Sequence, residues 1–167
     1  EEEFTCHINL HARNAGVIDM RRIGQGAQID VPENPSLVEV AHELAHLIID
    51  PEFSHIKDER VISAILEGIN DLVAAEAVYI PRAHLRDLQK SLYQSTLDDF
   101  SESEQKVIVS TFLQNNEAQA WAFGRDVDHV VGRTFVEQLI TLMPKVQTSK
   151  LIACLQQFPP TREQMTK

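Results

Sequence analysis

A chain of 167 residues, 43% of them hydrophobic, is long enough for one domain with a real core. Its formal charge of −10 argues against nucleic acid as a partner, and no run of 18 apolar residues offers a transmembrane helix, so membrane insertion is not expected. Cys6 and Cys154 stand near opposite ends, outside any C-x-x-C, and make no disulfide framework; their apolar surroundings read them as buried small hydrophobes. The chain opens Glu1-Glu2-Glu3 without Met, which reads as an N-terminus trimmed from something longer; compartment and oligomeric state leave no signal.

In chain order, residues 4–10 alternate polar and apolar at period two, as a half-buried strand does. A turn at 14–16, a strand over 17–23, a glycine turn at 24–26 and a strand over 27–31 complete a small N-terminal sheet. A helix is predicted over 36–50, opened by a Ser36/Glu39 capping box and closed by Pro51. A second covers 58–80, with Val61, Ile62, Ile65, Leu66, Ile69, Leu72 and Val73 on its buried side. Further helices are predicted over 82–96, over 101–124 behind a Ser101/Glu104 capping box, over 126–142 and over 149–158, and the polar tail after Pro160 reads as loose. The fold class is α+β, mainly α, in a single domain 1–167: strands in 4–31, then about six helices, those of 82–158 forming the C-terminal part.

The 36–50 helix contains His42-Glu43-Leu44-Ala45-His46, the pattern H-E-x-x-H. Histidines four apart share one helix face, so two imidazoles reach one metal ion. Glu43 lies about 100° further round, beside a metal rather than on it, where a general base for an activated water belongs. Leu37, Val38, Val40, Ala41, Leu44, Ala45, Leu47, Ile48 and Ile49 make the helix apolar nearly all round, which implies burial. Buried imidazoles and a carboxylate are costly unless paired or metal-bound. The plainer alternative is two hydrogen-bonded histidines with no metal.

A catalytic zinc site needs a third protein ligand. Glu67, with twenty residues between it and His46, on the apolar side of the second helix, is one candidate. Asp71, one turn on, could accept a hydrogen bond from a ligand histidine, and Gly68 would let this helix approach the motif helix. Glu117, in Glu117-Ala118-Gln119-Ala120-Trp121, is the alternative third ligand; it too interrupts an apolar face. His55 follows His46 by nine residues, but Ile49 stands where H-E-x-x-H-x-x-G-x-x-H has its glycine and Glu52 where it has its last histidine. Asp58 and Glu59 are the remaining candidates. Donors for an oxyanion could come from Tyr79, His84, Tyr93, Arg125 or His129.

Residues 40–46 together with Leu66-Glu67-Gly68-Ile69-Asn70-Asp71 resemble the gluzincin metallopeptidases, in which an H-E-x-x-H helix is followed by a second helix carrying E-G-x-x-D/E. The resemblance spans residues 27–81. It implies a zincin-like minimal metallopeptidase domain holding Zn2+, with His42, His46 and Glu67 as ligands, Glu43 as general base and Asp71 behind a ligand histidine. Residues 67–81 are also similar to the ImmA/IrrE pattern E-x-x-A-N-x-F-A-A-E-L-L-M-P, departing at Asn70, Asp71 and Val73 and by one extra residue before Pro81. The expected function is zinc-dependent hydrolysis of peptide bonds in a protein or peptide substrate. The alternative is a regulatory, interaction or toxin-associated helical domain that holds zinc without catalysis, to which Glu43 would be of no use.

Overall fold

The computed structural model describes residues 6–9, 16–19, 26–48, 53, 55–78, 96–114, 116 and 121–167. Three short strands, β1 (Cys6–Asn9), β2 (Gly16–Asp19) and β3 (Ala27–Asp30), form one sheet in the order β1-β3-β2. β1 runs parallel to β3 with Ile8 opposite Ile29, and β2 antiparallel with Val17 opposite the same residue. Helices α1 (Leu37–Ile48) and α2 (Glu59–Ala77) follow, then a 3-10 turn (Leu97–Asp99) and α3 (Glu102–Gln114). A two-stranded hairpin, β4 (Trp121–Ala122) and β5 (Arg125–Asp126), leads into α4 (Val127–Leu142), α5 (Thr148–Gln157) and α6 (Arg162–Met165). The mainly helical α+β class expected from the sequence is what is observed. No helix among the described residues is long and apolar enough to cross a membrane.

The local signals act as their chemistry dictates. Ser36 and Glu39 exchange hydrogen bonds of 2.7 and 3.1 Å at the head of α1. Asp58 caps α2 by accepting from the Arg60 amide, and Asp126 caps α4 by accepting from that of Asp128. Among the described residues the buried apolar side chains fall into two groups. The larger joins Val61, Ile65, Ile69 and Leu72 of α2 to Phe112, Val130, Val131 and Leu151. The smaller is Ala27, Ile29, Val31 and Leu47, with Val40 and Leu44 against it. Helix α1 thus lies against β2, β3 and α2, as expected of the motif helix.

Several expectations are corrected. Helix α3 stops at Gln114 rather than near 124, and Phe123 and Gly124 take left-handed backbone (φ 54° and 71°) that turns the chain into a hairpin. The tail is not loose: Met165 is buried, and Arg162 bonds both carboxylate oxygens of Asp58 (2.6 and 2.8 Å) and two carbonyls at the end of α3. Arg162 in turn holds the Asp58 carboxyl below its ordinary pKa. Cys6 and Cys154 are both exposed. β1 is exposed along its whole length because it is an edge strand covered by no helix of the described set. Helix α1, by contrast, is buried or half-buried nearly all round, as its apolar pattern implies; only Leu37 and Ile48 at its ends face solvent. Of the helix predicted over 82–96, residues 82–95 lie outside the described residues, and Thr96 is extended at the head of the 3-10 turn.

The most extensive packing is between α2 and α4. A side chain at Gly132 would run into the backbone of Ala64, and one at Gly68 into the carbonyl of Gly132. Gly132→Ala should therefore destabilise the protein by roughly 1–3 kcal/mol through overpacking, despite alanine's better helix propensity. Urea unfolding of the two proteins measures this, and equal or greater stability of the variant would show that the crossing is not tight.

Candidate metal centre

Four side chains from three helices converge between α1, α2 and α4. His42 and His46 project from one face of α1, and their Nε2 atoms lie 3.1 Å apart. Glu67 of α2 places Oε2 at 3.1 Å from His42 Nε2 and 3.5 Å from His46 Nε2. His129, from the first turn of α4, brings its Nε2 to 3.0 Å from the same oxygen. His42, Glu67 and His129 form a group that could hold a metal ion, with donor atoms all within 4.8 Å of one another. Donors at 2.0–2.1 Å around a tetrahedral zinc stand about 3.3 Å apart. Four of the six separations among these donors, 3.0 to 3.5 Å, match that spacing; His46 stands close to His42 and Glu67 but outside the group that includes His129.

Behind these donors stands a set of polar supports. Asp71 Oδ1 lies 2.8 Å from His42 Nδ1, off the straight line of the ring N–H, and Asp71 Oδ2 accepts from Arg133 Nε. Arg133 and Asp71 are both buried, so each neutralises a charge that would otherwise be costly. The Asn70 amide nitrogen lies 2.8 Å from His46 Nδ1, leaving Asn70 Oδ1 buried and without a partner. A half-turn of that amide exchanges its ends. Oδ1 would then accept from His46 Nδ1–H and leave the Nε2 lone pair free for a metal. The orphaned oxygen and a donor set of borderline imidazoles with one hard carboxylate both fit a divalent metal ion.

Electrostatics follow from this crowding. Burial alone would lower the pKa of His42, but the carboxylates of Asp71 and Glu67 overcome it and push it up to about 10. Burial likewise opposes charge on His129, while Asp126 and Glu67 carry it up to about 9. Glu67 is held far below the usual carboxylate range because three imidazoles outweigh its burial, and Asp71 is lowered by Arg133 and His42 against the same penalty. Glu43, buried beside the cluster, is pushed up by burial, only partly offset by His42 and His46.

Of the residues singled out in the sequence, the structure brings together His42, Glu43, His46, Glu67 and Asp71. Glu117 lies outside the described residues, as do Tyr79, His84 and Tyr93. His55 is exposed and lines a different cavity, of about 850 Å³, with Asp58 and Arg162. Glu59 is exposed. Gly68 does serve a close approach, but to Gly132 of α4 rather than to the motif helix. His129, considered only as an oxyanion donor, sits among the metal-type donors. It lines a cavity of about 210 Å³ with Arg125, Trp121 and Arg133. No family model, no curated protein and no solved structure matches this chain.

The raised histidines set a pH dependence for the metal-free protein. An imidazole whose pKa rises from 6.5 to 9 or 10 on folding contributes stability that is fully present below pH 6.5. That contribution is lost as pH rises through the folded values. Chelator-treated protein should therefore lose stability between pH 6.5 and 10, read as a falling urea midpoint. A flat midpoint over that range would mean that the imidazoles are not held protonated by Glu67 and Asp71.

Proposed function

We propose that this protein hydrolyses peptide bonds with a zinc ion held by His42, His46 and Glu67, and that Glu43 is its general base. The observation that carries the reading is Glu43: a buried carboxyl of raised pKa, one residue from His42 on α1 and within the field of all three imidazoles. A group of this kind suits proton transfer near neutral pH. A zinc ion bound here would supply Lewis acidity, acidifying a water and polarising the scissile carbonyl.

Glu43 takes the proton of the attacking water as the new C–O bond forms, then gives it to the amine nitrogen as the C–N bond breaks. Asp71 fixes the ring of His42 so that Nε2 faces inward, and Arg133 keeps Asp71 ionised and in place. Asn70 does the same for His46. Arg125 lines the adjoining cavity and offers a cation for a developing oxyanion. The gluzincin resemblance of residues 40–46 and 66–71 supports the same assignment.

A second reading, a zinc-holding interaction domain without catalysis, draws support from one observation. Four protein donors converge rather than three, and closed four-ligand sites are typical of structural zinc.

Substitution separates the two. Glu43→Gln should keep zinc at one ion per chain and lose cleavage of a mixed peptide library, whereas His42→Ala, His46→Ala and Glu67→Ala should lose the ion. Asp71→Ala should weaken zinc binding by roughly 10–100-fold. Wild-type zinc protein that leaves every peptide intact would favour the second reading, and zinc content unchanged in the histidine variants would place the metal elsewhere.

A further inference from the structure

We infer that His129 is a fourth protein ligand, so that the resting site is closed and substrate or water must displace this imidazole before hydrolysis can begin. The inference rests on the metal being held by His42, His46 and Glu67, and adds how that site is regulated.

The orientation of His129 repeats that of the other two histidines. Each presents Nε2 to the cluster and turns Nδ1 towards a polar support. The supports are Asp71 for His42 at 2.8 Å, Asn70 for His46 at 2.8 Å, and Asp126 for His129 at 3.8 Å. The Nδ1 atom of His129 is buried and has no hydrogen-bond partner among the described residues, and Asp126 Oδ1 is the nearby acceptor. A neutral imidazole whose Nδ1–H faces a carboxylate offers a lone pair at Nε2. That makes it a ligand, not a donor to an oxyanion. The 3.0 Å between this Nε2 and Glu67 Oε2 is a ligand-to-ligand spacing.

The same imidazole is built to leave. Its side chain is 33% exposed, against 5%, 19% and 14% for His42, His46 and Glu67. Its support is the longest of the three and sits at the junction of β5 and α4, next to the left-handed turn at Phe123 and Gly124. It also borders the cavity of about 210 Å³ shared with Trp121 and Arg125, which gives the displaced ring and an incoming chain somewhere to meet. Trp121 is exposed on that hairpin. Its indole offers the apolar contact through which a peptide side chain would begin to pull the hairpin, and His129 with it, away from Glu67.

X-ray absorption of the wild-type chain loaded with zinc alone counts the imidazoles directly. Three imidazoles and one oxygen are expected, against two in His129→Gln. The cobalt(II)-loaded wild type should show visible bands that azide leaves unchanged, while His129→Gln should shift on adding azide and bind zinc at least about tenfold more weakly. Two imidazoles in the wild type, or an azide response equal to that of the variant, would overturn the fourth ligand and leave the three-ligand hydrolase standing. A wild type that binds no metal would overturn both. The wild-type spectra need no variant to fold, so the inference is decided even if His129→Gln is unstable.

Discussion

Two helices that meet with no Cβ between them, at Gly68 and Gly132, set the spacing of the buried charges. Glu67 and Asp71 lie one turn apart on α2, and His129 and Arg133 one turn apart on α4. Crossing the helices at the intervening glycines makes two rungs, Glu67 to His129 and Asp71 to Arg133. Each rung pairs an anion with a cation, so neither helix carries an uncompensated charge into the interior. Arg60 and Asp128, 2.7 Å apart, add a third tie between the same helices. Helix α1 then needs only to lay one face across the rungs for its imidazoles to complete the cluster.

This arrangement explains how so many ionisable groups survive within about a helical diameter. Asp71 touches a histidine with one oxygen and an arginine with the other, and Glu67 is shared among three imidazoles. Among the described residues Glu43 has no such hydrogen-bonded partner, and burial accordingly favours its neutral form. The contrast between Glu67, held ionised, and Glu43, shifted towards its neutral form, comes from environment alone, since both are glutamates.

The parts of the site legible in the sequence were those set by spacing along one helix. His42, Glu43 and His46 follow from the period of α1, and Glu67 with Asp71 from the period of α2. His129 is legible as an oxyanion donor but not as a metal-type ligand, because 82 positions separate it from His46 and no local period connects them. A signal was present all the same. Asp126, His129 and Arg133 form a polar stripe on a helix otherwise rich in valine, with Gly132 beside it, as a helix does when it faces buried charge. Gly124 was read as the end of a helix when it marked a hairpin, since a glycine after an aromatic run serves either. The exposure of Cys6 and Cys154 depends on which faces the neighbouring elements leave uncovered, which period-two and period-3.6 patterns do not specify.

The two apolar groups have a mechanical consequence. The smaller, around Ile29, Val31 and Leu47, is too slight to hold three short strands and α1 by itself, since small sheets need a substantial apolar face to persist. The larger, around α2 and α4, holds most of the buried apolar side chains among the described residues. The seam between them is where α1 meets α2 and where the imidazoles of one side face the carboxylate of the other. An ion at that seam would work as a rivet, transmitting the rigidity of the helical body to the sheet. The attachment of the sheet and α1 to the helical body would then rise and fall with the occupancy of that one ion.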